Sequence, residues 1–210
     1  MSQVKIAMRC SRLVLPIALL LTACAEAPKK TAKAKEPEKP PEPIAGRYAF
    51  HQMFAAARSW ATDAQVVRLH NVPLTEVKSS EGKAGCWQTT FMSPSRQRSR
   101  TYTYSVVESA GNIHKGVFAG LEETYSQRGQ AKPFLVAALK TDSVDAYKTA
   151  LEKSTEYVKK NPDKPVQFLL ELIPRFPNPA WRVIWGESVG TSNYSVYVDA
   201  STGKYLETMR

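Results

Sequence analysis

Three cysteines and three histidines among 210 residues leave little room for metal or thiol chemistry. His51, His70 and His114 are scattered, and none stands at ligand spacing from a cysteine or another histidine. Asp199 lacks the staggered acidic neighbours of a calcium loop. No G-x-x-x-x-G-K and no G-x-G-x-x-G occurs, so the common phosphate cradles are missing. The expectation is no metal and no cofactor. No apolar run reaches the roughly 18 residues that a membrane-crossing helix needs, so no transmembrane helix is expected.

The N-terminus carries a different signal. Lys5, Arg9 and Arg12 precede the apolar stretch Leu13 to Leu20, and Leu21-Thr22-Ala23-Cys24 follows. A basic region, a short apolar region and small residues before a cut site form the pattern of a cleaved leader. The last four residues resemble the lipobox of bacterial lipoproteins. That resemblance implies removal of residues 1–23 and acylation of Cys24, which then anchors the chain in a lipid bilayer. Several acyl chains, at about 0.8 kcal/mol per buried CH₂, hold such an anchor stably. Ala25 follows the cysteine where an aspartate would imply inner-membrane retention. The expected location is the outer membrane, with the folded part facing the periplasm; the cell surface is the alternative. Cys10 lies in the leader, so only Cys86 remains as a thiol and the mature monomer has no internal disulfide. Cys86 lies beside Trp87 in a strand-like run and reads as buried and inert.

Residues 24–45 read as the lipidated cysteine and a linker of proline, lysine, glutamate and alanine. Such a segment cannot bury enough surface to fold. Its prolines favour an extended spacer, which at about 3.1 Å per residue reaches roughly 60 Å. The whole chain holds 29 basic and 19 acidic residues. Three of the basic residues are in the leader, and the linker adds a net charge of only one, so about +6 falls on the remainder. That excess suits anionic headgroups or an acidic protein partner, and nucleic acid is not expected.

From residue 46 onward one pattern occurs twice: a helix, then a run of strands. In the first copy, Phe50, Met53, Phe54, Ala57, Trp60 and Ala61 predict a helix over 47–62 with one apolar face. In the second, a helix over 143–160 starts at the capping residues Asp142 or Ser143 and stops at Asn161-Pro162. Val144, Tyr147, Leu151 and Val158 are expected on its buried face. Strands are predicted over 65–70, 86–92, 101–108 and 113–118, then over 166–173, 181–186, 193–199 and 204–208. Even spacing puts Trp87 with Phe91, and Trp181 with Trp185, on one face of each strand. The run 134–139 fits either a strand or a short helix.

The fold class expected is α+β: two tandem repeats, 46–130 and 131–210, with helices packed on one face of an antiparallel sheet. The second half resembles the PepSY family. The resemblance rests on Ala146-Tyr147…Ala150-Leu151, on Trp181-Arg182-Val183, and on Tyr197-Val198-Asp199-Ala200-Ser201-Thr202-Gly203-Lys204. Asp199 and Gly203 are its turn signature, and Val107-Glu108-Ser109-Ala110-Gly111 is a weaker copy. Tandem copies would resemble β-lactamase-inhibitor-like proteins. The resemblance implies no catalytic residues and a role in binding a protein or peptide, in some members restraint of a peptidase.

The candidate contact residues are Arg96, Arg98 and Arg100 in a hairpin tip over 93–100, together with Tyr194 and Tyr197. Two alternatives remain open: an envelope structural or assembly factor, and a serine hydrolase. The second rests on Gly186-Glu187-Ser188-Val189-Gly190, which matches G-x-S-x-G with Ser188 as nucleophile. The motif needs a following helix and a later histidine. A strand pattern follows instead, and the last histidine is His114.

Overall fold

The computed structural model describes residues 40–127, 129 and 131–210. The leader, Cys24 and the linker up to residue 39 lie outside the described residues. A two-residue strand, β1 (Ile44–Ala45), leads into α1 (Gly46–Trp60). Then come β2 (Gln65–Val72), the short β3 (Lys83–Ala84), β4 (Cys86–Ser93), β5 (Arg98–Ser105) and β6 (Gly116–Thr124). The second half holds α2 (Ser143–Lys160), β7 (Val166–Glu171), β8 (Ala180–Trp185), β9 (Ser195–Asp199) and β10 (Tyr205–Met209).

Eight strands form one antiparallel sheet in the order β10-β9-β8-β7-β2-β4-β5-β6, while β1 pairs separately with β3. Each helix is followed by a four-strand meander, and the two meanders meet at β2 and β7. α1 lies over β4, β5 and β6, and α2 lies over β8, β9 and β10. The fold is α+β, with both helices on one face of the sheet.

The core fills the space between helices and sheet. Trp87, Phe91, Phe168, Trp181 and Trp185 point to the helices from the strands, and Phe50 and Met53 point back from α1. Burying each such side chain contributes about 1.5–3 kcal/mol. Small residues bring α2 close. Its buried line is Ser143, Ala146, Ala150 and Ser154. Val144, Tyr147, Leu151 and Val158, expected there, are half-buried and flank that line. The correction is one of size: only small side chains fit where a helix sits directly on a sheet bearing tryptophans.

Some boundaries also shift. β5 begins at Arg98, so the preceding turn is only Pro94–Gln97. The strand expected over 113–118 runs over Gly116–Thr124. Within 134–139 the chain makes a 3₁₀ turn at Val136–Ala138, after Phe134 bridges to Val66.

The seam between β2 and β7 is narrow, with three residue pairs: Arg68 with Glu171, Leu69 with Leu170, and His70 with Leu169. Side chains extend it. Asn71 is buried and its Oδ1 accepts the Phe168 amide at 2.7 Å. Arg68 and Glu171 form an ion pair. The helices also meet. Ala45, at the N-cap of α1, supplies no capping side chain. Instead Ser143 Oγ accepts the Gly46 amide at 2.7 Å, and Asp142 Oδ1 accepts the Arg47 amide at 2.9 Å.

Candidate functional site

Among the described residues, no helix lies on the sheet's second face. Register defines a row of side chains across it: Tyr197, Arg182, Leu169, His70, Gln88, Thr103 and Phe118, from β9 to β6. Two of the depressions on this face lie along the row. One, of about 480 Å³, is lined by Val72, Gln88, Thr103, Ile113, Phe118 and Leu121. The other, of about 130 Å³, lies over the seam between Arg68, Leu169, Glu171, Arg182, Val189 and Tyr197.

Hydrogen-bonding groups dominate the middle of the row. Arg182 Nε donates to Ser195 Oγ at 3.0 Å, and its guanidinium lies 5.7 Å from the Tyr197 ring centre. His70 stands between Arg68 and Gln88. Burial, then the Arg68 charge, lowers its pKa to about 4, against a raising hydrogen bond from Gln88. The ring is therefore neutral near pH 7. Its buried Nδ1 has no hydrogen-bond partner among the described residues. The set can recognise polar and apolar groups together.

The three candidate arginines are held within the fold. Arg96 Nη1 donates to the Trp60 carbonyl at 2.9 Å, and Nη2 donates to Glu122 Oε2 at 3.0 Å. Its guanidinium also lies 5.3 Å from the Trp60 ring centre. Arg98 Nε is 3.9 Å from Glu122, and Arg98 Nη1 donates to Thr124 Oγ1 at 3.1 Å. Arg100 Nε donates to the Gly120 carbonyl at 2.7 Å. A hydrogen bond from the Trp60 indole, then the charges of Arg96, Arg98 and Arg100, holds the Glu122 carboxyl below its usual pKa. Arg98 and Arg100 belong to β5, so the expected tip over 93–100 is corrected. The turn itself is tied by Asp63, which accepts Ser93 Oγ at 2.7 Å and the Ser95 amide at 2.8 Å. Those bonds lower its pKa to about 2.

The two tyrosines part company. Tyr194 is 5% exposed and stacks on Tyr157 with ring centres 3.8 Å apart, so it belongs to the helix-side core. A contact role for it is corrected by that burial. Tyr197 points to the other face but is 8% exposed, beneath Phe176 at 5.2 Å. The turn signature is structural. Asp199 Oδ1 accepts the Ser201 and Thr202 amides at 2.8 and 2.9 Å, and Asn178 donates to Oδ2 at 3.0 Å. Burial works to raise the Asp199 pKa, but these bonds outweigh it and lower it. Gly203 supplies the positive φ, +74°, that closes the turn.

Ser188 lies in the turn between β8 and β9, and a strand follows it. Its Oγ bonds Thr191 Oγ1 at 2.8 Å and accepts the Thr191 amide at 3.2 Å. The strand-to-helix elbow that exposes a nucleophile is not formed here. Cys86 is buried, and burial pushes its thiol up to about 11 despite a hydrogen bond with Ser105. Among the described residues, no three His, Cys, Asp or Glu side chains are placed to hold a metal ion. No described helix is long and apolar enough to cross a membrane.

Sequence reasoning missed Arg182, His70 and Gln88 as neighbours, because their adjacency depends on the β2–β7 seam. It also missed Trp60 and Glu122, 62 residues apart, which hold the arginines. The glutamate pair in an otherwise apolar strand was the one available signal.

No protein-family profile matches the chain, and no curated protein matches it. A solved structure from Clostridium difficile 630, provisionally described as a lipoprotein, is similar at 10% identity and a TM-score of 0.44. The match covers 82% of this chain and 95% of that one. At that score the likeness carries no argument.

Proposed function

We propose that this chain is an envelope lipoprotein whose folded part binds a protein or peptide without making or breaking bonds. Acylated Cys24 anchors it to the outer membrane, and the linker holds the folded part on the periplasmic side. The observation carrying the binding reading is the helix-free sheet face, where seven side chains from seven strands form one mixed polar and apolar row. A face of that kind fits a contact surface better than a reaction centre, since the half-buried histidine in it lies beside an arginine that disfavours its charged form.

A contact that occurs once in each half supports the PepSY-like, tandem reading. The indole of Trp87 on β4 donates to the Ile44 carbonyl, two residues before α1. The indole of Trp181 on β8 donates to the Thr141 carbonyl, two residues before α2. The same strand thus grips the same helix entry in each half, and the strand order reads alike outward from the seam. Restraint of a peptidase is the narrower form of the proposal.

The test has two parts. Labelled palmitate should enter the full-length protein in cells, and Cys24→Ala should abolish it. A photo-crosslinker at Gln88 or Arg182 should capture a specific protein, while one at the exposed α2 position Lys148 should not. No acylation removes the anchor, and equal capture at all three positions removes the binding face.

A further inference from the structure

β6 forms one edge of the sheet, and no strand lies beyond it among the described residues. Edge strands are normally kept short or guarded along their length by charged side chains, proline or bulges. The opposite edge, β10, has five residues. β6 has nine, and its first six residues, Gly116 to Leu121, carry no charge and no proline, the two glutamates standing only at its far end. Its Val117 and Phe118 are 39% and 41% exposed, and Leu121 is 87% exposed. No other large apolar side chain among the described residues is as open as Leu121.

The pattern along β6 is self-complementary. The pairing with β5 shifts register between Arg100 and Tyr102, which sets Gly120 and Leu121 against the single residue Thr101. This irregularity turns Leu121 to the side of Phe118, and both line the same depression. His114-Lys115 precede the strand, and Glu122-Glu123 close it. Glu122 is already held by Arg96, Arg98 and Trp60, which leaves Glu123 as the outward acid. A second β6 running antiparallel, with Ala119 opposite Gly120, sets Phe118 against Leu121 twice. It also sets Glu123 of each copy opposite Gly116 of the other, so the two glutamate ends lie at opposite ends of the pair and do not face each other.

We propose that β6 pairs with β6 of a second copy of this chain about a two-fold axis between Ala119 and Gly120, continuing one sheet through both molecules. The contact is isologous, so it closes at two copies and does not grow. One strand pair and a few apolar side chains fall below the roughly 1,200 Å² of a stable complex, so the dimer is weak and concentration-dependent. An extended foreign peptide would use the same edge but would not require Phe118 and Leu121 to match each other.

Two measurements test this on the full-length chain with Cys10→Ser and Cys24→Ser, which leaves the buried Cys86 as its one native thiol. Sedimentation should show the mass doubling as concentration rises through the micromolar range. Leu121→Glu should return the protein to a monomer with an unchanged melting temperature, because Leu121 is exposed. For the register, Phe118→Cys and Leu121→Cys are made in separate chains. Mild oxidation of the mixture should yield a cross-linked dimer, and either chain alone should yield several-fold less. A monomer at every concentration overturns the proposal. So does a dimer that survives Leu121→Glu, or equal cross-linking by each chain alone.

Discussion

Trp87 and Trp181 meet edge to face, their ring centres 6.3 Å apart at 75°, directly beneath the entries of the two helices. Each indole donates to a helix-entry carbonyl, at 3.0 Å for Trp87 and 2.9 Å for Trp181. Both rings are fully buried, and the residues whose carbonyls they hold, Ile44 and Thr141, are half-buried. Trp87→Phe and Trp181→Phe should each destabilise the fold by about 1–3 kcal/mol from the lost hydrogen bond, and more from the lost ring volume. Because the rings touch, the double substitution should depart from the sum by about 0.5 kcal/mol or more. Urea denaturation of the two single variants and the double variant measures both quantities. Additive losses would mean that the two halves do not support each other at this contact.

Asp142 serves two helices with one oxygen. Its Oδ1 accepts the Ser143 amide at 2.6 Å in α2 and the Arg47 amide at 2.9 Å in α1. A carboxylate at a helix N-terminus is also favoured by the positive end of the helix dipole, and here it faces two. Asp142→Ala should therefore cost more than a single cap, about 2–3 kcal/mol against a usual value near 1. Asp142→Asn keeps the acceptor and should recover more than half of that. Thermal unfolding of the two variants followed by far-ultraviolet circular dichroism gives the comparison.

The helices and most strands were legible because their signals are local. Phe50, Met53 and Ala57 repeat at helical spacing, and Trp87/Phe91 and Trp181/Trp185 alternate as strands. What was not legible depends on long loops closing. Arg47 and Asp142 are 95 residues apart, and Trp60 and Glu122 are 62 apart. No spacing rule links such pairs. Tyr194 was misplaced for a related reason. A tyrosine beginning a strand looks like a contact residue until α2 brings Tyr157 against it. The open face was the least visible part, since its row exists only once β2 has paired with β7.

Glu122 offsets part of the mutual repulsion within an arginine ladder. Arg96, Arg98 and Arg100 all lie near it, and the Trp60 indole donates to it at 2.6 Å. Glu122→Gln should lower the thermal midpoint at low salt, and the difference from the parent should shrink as salt screens the arginines. Glu123→Gln, on the same strand without those partners, is the control and should change the midpoint less. Thermal scans at low and high ionic strength separate the two.

Gly82 fills a position that no side chain can occupy. Its φ is +83°, and a Cβ there would lie 2.6 Å from the Val144 Cα and 2.7 Å from the Ser143 carbonyl oxygen. Both are backbone atoms at the start of α2, so neither can swing away. The Gly82 carbonyl also accepts Ser143 Oγ at 2.6 Å. Gly82→Ala should destabilise by roughly 2 kcal/mol or more through strain and a displaced α2 entry. Gly111→Ala offers the contrast. Its φ is similarly positive, but nothing lies within 4 Å of its Cβ position. Its cost should be limited to the backbone term, about 1 kcal/mol. Equal losses in denaturant melts would show that φ alone, and not the contact with α2, decides the Gly82 site.

His70 gives the fold a pH dependence of its own. Its pKa falls to about 4 in the folded chain, from an ordinary value of 6.5, because burial and then Arg68 disfavour the charged ring. The unfolded chain therefore takes up a proton on His70 at higher pH than the folded chain does. The contribution to stability is complete above about pH 6.5, and it is lost progressively as pH falls towards about 4. Integrated over that window, the loss is of order 3 kcal/mol. The lowered carboxyls of Asp63, Glu76, Glu122 and Asp199 act in the same direction. Their contributions are lost mainly at more acid pH, below the ordinary carboxylate range. Stability against urea should thus decline between about pH 6.5 and about pH 4, and His70→Gln should flatten that decline while leaving the more acid loss in place. A parent protein with no decline in the upper window, or a His70→Gln variant with an unaltered one, would show that His70 titrates as an exposed histidine despite its position in the row.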